Sequence, residues 1–183
     1  MDRPRRRLKI DLDELALAFE QNFPETEHYL DLGTGAVVMV TAEDHAELEQ
    51  LYEEILDEHG EERLPLEEAL STSDLPEAVI LALLAAHESK SGLGTRFVRV
   101  PHVESYEAYA DMEAFIDTVS DRRLRERLWR AIEGRGAFRR FKDVLAGDFR
   151  ERKRWFAFRD ERVDRRVREW LESEGIEPMR ECQ

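Results

Sequence analysis

A chain of 183 residues with 42% apolar side chains is long enough to bury a core without metal or disulfide support, and its 38% of charged residues is well above the globular average. Its one cysteine, Cys182, leaves no intrachain disulfide, which favours a reducing compartment and a cytoplasmic location. The longest apolar run, 78–86, is too short to span a bilayer, so no membrane is expected as a partner, and the basic start has no apolar stretch of secretory type behind it.

The elements follow from spacing. Residues 1–10 read as a basic, disordered N-terminal arm. Asp11 with Glu14 makes a capping-box-like start, Ile10 with Leu15 is spaced as a hydrophobic staple, and Leu12, Leu15 and Phe19 share a helical face, which predicts a helix over 12–22 before Pro24. His28–Leu32 and Ala36–Val40 read as strands joined by a Gly33-Thr34-Gly35 turn, the clearest hairpin signal in the chain. Thr41 and Asp44 open a helix carrying Leu48, Leu51, Tyr52 and Ile55, and the acidic stretch 61–73 reads as an exposed connection. Asp74 with Glu77 starts a helix to about residue 88, apolar nearly all round and so central to the core. Ser89–Gly94 is a loop and 95–100 a third strand, ended by Pro101.

From Ser105 onward every predicted element is helical. Tyr109, Met112, Ile116 and Val119 share one face; Ser120 or Asp121 caps the next helix, with Leu124, Leu128 and Ile132 in line. Gly134-Arg135-Gly136 breaks it, Phe138, Phe141 and Leu145 mark a short helix ended by Gly147, and a long helix over 149–172 turns Trp155, Phe158, Val163, Val167 and Trp170 inward. The fold class is α+β: a small antiparallel sheet of about three strands, the hairpin plus one later strand, packed by six or seven helices. A single domain is expected over 11–172, with a tail over 173–183.

The net charge of −14 is unevenly placed: +4 over residues 1–10, −23 over 11–120, +8 over 121–170 and −3 over 171–183. Either the acidic and basic stretches face each other within the fold, or the basic stretch is a binding face for an anion such as nucleic acid. The densest candidate site is the run Gly134–Asp143. A glycine break leaves backbone N–H groups free at the start of a helix, which attracts anions, and Arg135, Gly136, Arg139, Arg140 and Lys142, with Arg154 further on, would supply the cradle. The bland alternative is a tight helix–helix corner whose arginines pair with acids and whose Phe138 and Phe141 anchor the short helix in the core.

Other chemistry finds little support. Ser89–Thr95 has Gly, Lys and Ser in the wrong order for a phosphate loop and follows a helix instead of a strand. His28, His45, His59, His87 and His102 show no zinc spacing, there is no cysteine pair and no Gly-x-Ser-x-Gly elbow, and Cys182 lies on the tail. No catalytic residue, metal or cofactor is implied, and the balance is against an enzyme.

Three stretches carry a resemblance: Tyr29-Leu30-Asp31-Leu32-Gly33-Thr34-Gly35, Val98-Arg99-Val100-Pro101 ahead of a Tyr-rich helix, and Gly134–Asp143, continuing through Trp155 and Phe158 to Trp170-Leu171. Over about 12–172 the chain resembles a bacterial group, the uncharacterised protein family UPF0158. The resemblance implies a shared domain and brings no activity and no catalytic residue with it. The expected function is a non-catalytic binding or regulatory domain acting through a protein partner, with phosphate or nucleic-acid binding by the basic C-terminal helices as the alternative and an enzyme of unknown class behind both.

Overall fold

A computed structural model of the chain describes residues 6–21, 23–55, 65–91 and 94–179. The chain divides into two compact units, Met1–His102 with Leu171–Gln183, and Val103–Trp170. As expected, the fold is α+β.

The first unit holds β1 (Arg6–Lys9), α1 (Leu12–Glu20), β2 (Thr26–Asp31), β3 (Val37–Thr41), α2 (Ala42–Ile55), α3 (Leu66–Ser71), α4 (Glu77–Ser91), β4 (Phe97–Arg99) and β5 (Ile176–Met179). The expected hairpin and later strand form an antiparallel sheet in the order β3–β2–β4, with Tyr29 opposite Val38 on one side and Arg99 on the other. β1 and β5 form a separate parallel pair, Arg6 opposite Ile176. The described end of the supposed arm is therefore a strand. Its pairing joins residues 170 positions apart, and Leu8 and Ile176 alone give no local signal for it. α3 lies in the stretch expected to be an exposed connection: Leu66 and Leu70 are buried on one side of an otherwise acidic turn of helix. Residues 61–64, the start of that expected connection, lie outside the described residues, as do 56–60.

Local chemistry explains the starts. Asp11 accepts from the N–H groups of Asp13 and Glu14, both at 3.0 Å, which caps α1. Thr41 and Asp44 bond reciprocally, N–H to Oδ2 at 2.7 Å and N–H to Oγ1 at 3.3 Å. α4 begins after Pro76, whose carbonyl takes the N–H groups of Val79 and Ile80, rather than at Asp74. The core of this unit gathers Tyr29, Val38, Val40, Leu48, Leu66, Leu70, Leu83 and Phe97, with Ala82, Ala85 and Ala86 letting α4 lie close.

Asp31 organises the loop end of the sheet. Its carboxylate is completely buried and accepts from Gly33 N–H at 2.8 Å, Thr34 Oγ1 at 2.9 Å, and Arg96 through Nε at 2.9 Å and Nη2 at 2.8 Å. The turn and the entry to β4 are thus fixed by one side chain. Gly35 completes the turn at φ 82°, where a Cβ would lie 2.1 Å from the carbonyl oxygen of Lys9, so no other residue fits.

The second unit is built from α5 (Ser105–Asp117), α6 (Arg122–Ile132), α7 (Ala137–Ala146) and α8 (Phe149–Ser173) as far as Trp170. Asp121 caps α6 through Leu124 N–H at 2.9 Å. Met112, Phe115, Ile116, Leu128, Ile132, Phe141, Leu145 and Trp155 form its core. Phe141 and Phe115 meet Trp155 edge-on, with ring centroids 4.8 and 5.2 Å away. Phe138 is a correction: it was expected in this core and is 41% exposed. Buried Ala137, Phe141 and Leu145 are the residues of α7 that face inward, and Phe138 projects from another side.

Burial opposes ionisation of Asp31, but the bonds from Arg96, Gly33 and Thr34 outweigh it and hold the carboxyl below its ordinary range. Its contribution to stability is therefore complete above the ordinary carboxyl pKa and lost as pH falls through the lowered folded value. Asp31→Ala should lower stability by about 2 kcal/mol in urea unfolding at neutral pH, since it leaves the turn's donors without their charged acceptor while Arg96, 39% exposed, keeps its hydration. The difference from the unmodified chain should shrink in acid.

Candidate functional site

The six residues expected to cradle an anion do not act together. Arg140 folds back on its own corner: its guanidinium donates to the carbonyls of Ala131 at 3.0 Å, Glu133 at 2.5 Å and Arg135. It thereby closes the C-terminal end of α6, whose last carbonyls have no partners within the helix. Gly136 supplies the left-handed residue at φ 77° from which α7 starts. Arg154 bonds Glu151 at 2.5 Å and Thr118 Oγ1 at 3.1 Å, and lies over the Phe115 ring at 5.7 Å. Arg135, Arg139 and Lys142 are exposed, with Asp143 at 4.0 Å from Arg139. The block is thus part corner, part exposed basic surface.

Two further arginines that spacing did not single out are also structural. Asp111, buried on α5, accepts from Arg162 Nε at 2.7 Å and from Arg166 Nη1 at 2.8 Å and Nη2 at 3.0 Å, pinning α8 across α5. Likewise, Glu88 Oε2 accepts from the N–H groups of Thr95 and Arg96 at 3.0 Å and Phe97 at 3.3 Å. Three converging N–H groups beside the segment that superficially resembles a phosphate loop are therefore filled by the chain's own carboxylate. Gly92 and Leu93 of that segment lie outside the described residues.

What the helices leave outward is an aromatic and basic face. Phe149 and Phe156, 74% and 46% exposed, stand two turns apart on α8. Exposed Arg152 and Lys153 lie between them in sequence, at positions that share their side of the helix. Arg152 and Arg159 lie over the Phe149 and Phe156 rings at 5.7 and 5.4 Å.

A cavity of about 250 Å³ sits in the first unit where α1 ends and β2 begins, lined by Gln21, Phe23, Glu25, Glu27, His28, Arg99 and His102 among others. Phe23, Pro24, Glu25 and Thr26 form its turn, closed by Thr26 N–H to the Phe23 carbonyl at 3.3 Å. Glu25 has φ 60°, the left-handed backbone that glycine adopts at the third position of a turn with proline at the second. A glutamate held there stores strain at a pocket rim, which is where binding groups concentrate. Glu27 takes Arg99 at 2.6 Å on Oε1 and the Tyr29 hydroxyl at 2.5 Å on Oε2. His28 is buried, and burial lowers its pKa from the ordinary 6.5. Among the described residues no cluster of three or more His, Cys, Asp or Glu is placed to hold a metal.

The profile of an uncharacterised protein family, UPF0158, matches residues 86–183. A UPF0158 protein of Pseudomonas aeruginosa is 30% identical over 174 residues, which is 94% of this chain and 88% of that one. The chain belongs to UPF0158. No solved structure matches it. The profile match in this UPF0158 protein takes in the whole helical unit, the Arg140 corner and Arg99, and stops short of residues 18–28 on the other side of the pocket.

Sequence reasoning missed the pocket because β2 and β4 bring Glu27 and Arg99 together from 72 positions apart. The local signal available was Pro24-Glu25, a proline turn with a non-glycine residue where glycine is usual. Glu25→Gly should raise stability by about 1 kcal/mol in thermal unfolding, since it relieves the left-handed backbone. For His28 the folded pKa is depressed, so the folded form disfavours the charged ring. Its effect on stability is absent above pH 6.5 and grows adverse as pH falls towards the lowered value. Between pH 7.5 and 5.5, His28→Gln should gain stability relative to the unmodified chain; parallel unfolding curves at both pH values check the sign.

Proposed function

We propose that this UPF0158 chain is a non-catalytic binding protein whose helical unit engages an acidic protein surface through α7 and the first half of α8. The observation that carries the reading is the pair of exposed rings, Phe149 and Phe156, set among Arg152, Lys153 and Arg159. Aromatic and arginine side chains dominate the centres of protein interfaces, whereas exposed phenylalanine on a monomer's surface is unfavourable. Burying one such ring is worth about 2 kcal/mol, so two rings with a basic rim suit a partner that is apolar at the centre and acidic around it. Arg139 and Lys142 on α7, and Arg135 just before it, are exposed as well and add positive charge to this unit's surface.

Charge favours protein over nucleic acid as that partner. The unit Val103–Trp170 has 18 basic and 15 acidic residues, a net of only +3, while domains that grip phosphate polymers are strongly basic. Arg140 and Arg154 are already spent on the fold. Among the described residues no helix is long and apolar enough to cross a membrane.

A photo-crosslinking residue placed at Lys153 in cells tests the reading. Adducts should map to acidic segments of one protein, and Phe149→Ala with Phe156→Ala should reduce them roughly ten-fold, as loss of a pair of interface anchors does. Adducts mainly to RNA or DNA, or adducts indifferent to the double substitution, would contradict it.

A further inference from the structure

We infer that the free edge of β3 pairs with the same strand of a second copy of this chain, antiparallel about a two-fold axis at Val38, so that the two sheets run on as one. The inference does not rest on the aromatic and basic face of α8, since β3 belongs to the other unit.

The two edges of the sheet differ. Leu32 N–H donates to the Arg96 carbonyl at 2.7 Å and Val100 N–H to the His28 carbonyl at 2.8 Å. Antiparallel bonding alternates along a strand, so Phe97 and Arg99 turn their backbone groups away from β2. That edge is blocked. Glu88 takes the outward N–H of Phe97 at 3.3 Å, β4 is only 3 residues long, Arg99 is charged and exposed, and Pro101 follows. Shortness, charge and proline are means by which a sheet refuses a further strand.

β3 carries neither charge nor proline. Asp31 N–H donates to the Ala36 carbonyl at 2.9 Å, so by the same alternation Val38 and Val40 bond β2, and the N–H and C=O groups of Val37 and Met39 point outward. Among the described residues nothing bonds those groups. Val37, Val38, Val40 and Thr41 are all β-branched. Val38 and Val40 face the core, while Met39, on the opposite face of the sheet, is 51% exposed. An edge of this composition is a ready template for another strand.

Symmetry selects the occupant. With Val38 opposite the partner's Val38, Val37 stands opposite the partner's Met39, and Met39 opposite the partner's Val37. Every outward N–H and C=O of these residues then finds a partner. Thr41, whose N–H is already held by Asp44 Oδ2 at 2.7 Å, is not called upon. A register centred on Met39 would instead set Val37 against the partner's Thr41 and meet an N–H that is taken. No like charges oppose each other along the seam, and each exposed Met39 gains an apolar neighbour across it. The pairing consumes both open edges and leaves only the blocked ones at β4, so the assembly closes as a dimer and does not grow into a fibre.

Charge limits the affinity. The unit that holds β3 has 10 basic and 27 acidic residues, a net of −17, so two copies repel at long range and the seam must hold through short-range contacts. Salt screens that repulsion and should tighten the dimer, the opposite of its effect on a complex held by ion pairs.

Sedimentation of the full chain from micromolar to millimolar concentration, at low and at moderate salt, tests the inference. A dimer should form as concentration rises and tighten with salt. In parallel, the Val37 and Met39 amides should gain protection from hydrogen exchange by NMR, while those of Val38 and Val40, bonded to β2 in either state, change little. Met39→Lys should weaken the dimer about ten-fold or more even though it lowers the net negative charge, whereas Met39→Leu should not. The position is exposed, and thermal unfolding checks that both variants keep the fold. A chain that stays monomeric at millimolar concentration would overturn the inference and leave the edge to a strand of another protein. So would a dimer that Met39→Lys leaves intact, or one that salt dissolves. Equal protection of the Val37 and Met39 amides at every concentration would also overturn it, because the chain would then cover its own edge.

Discussion

A carboxylate with no exposed surface must be satisfied by its own chain, and Asp31 sets the shape of the sheet because it is satisfied from three directions. Two donors come from the turn that follows it and two from Arg96 at the entry to β4, so turn, hairpin and third strand share one anchor. Burying an ionised group carries a desolvation cost that only dense, well-aligned bonds offset. The helical unit solves the same problem with Asp111, Arg162 and Arg166. In a chain with 38% charged residues, the first question about any charge is whether the fold has already used it. Asp31, Glu88, Asp111, Arg140 and Arg154 are used; Glu25, Arg135 and Lys142 are left exposed to solvent.

That division leaves two outward features of different kinds. On α8, Phe149 and Phe156 are partly exposed with Arg152 and Arg159 over their rings, the surface on which the proposed partner would sit. Beside α1, a small cavity is lined by groups of both signs, of which Arg99 and Glu27 already pair with each other. The basic charge of residues 121–170 serves the structure at Arg140 and Arg154, while Arg135, Arg139 and Lys142 stay exposed.

Much of the architecture was legible because it rests on short-range chemistry. Asp11, Asp44 and Asp121 mark helix starts through bonds to N–H groups two or three residues away, and the apolar spacing of Leu124, Leu128 and Ile132 reports one buried face. What spacing could not supply was pairing across long separations: β1 with β5, Asp31 with Arg96, Asp111 with Arg166, Glu27 with Arg99. The run Gly134–Asp143 stood out as a string, but its string hid a division of labour. Arg139 and Arg140 are neighbours in sequence, and one faces water while the other caps α6. Phe138 and Phe141, three apart, are on average same-face positions, yet only Phe141 meets the core.

The central claim is that the pair between buried Asp31 and half-buried Arg96 couples the hairpin to β4. A double-mutant cycle with Asp31→Asn and Arg96→Met, read by urea unfolding at neutral pH, measures that coupling directly. The account predicts an interaction energy of about 2 kcal/mol, within the range for contacting charged groups in one network. Additive effects, with a coupling under about 0.5 kcal/mol, would contradict it.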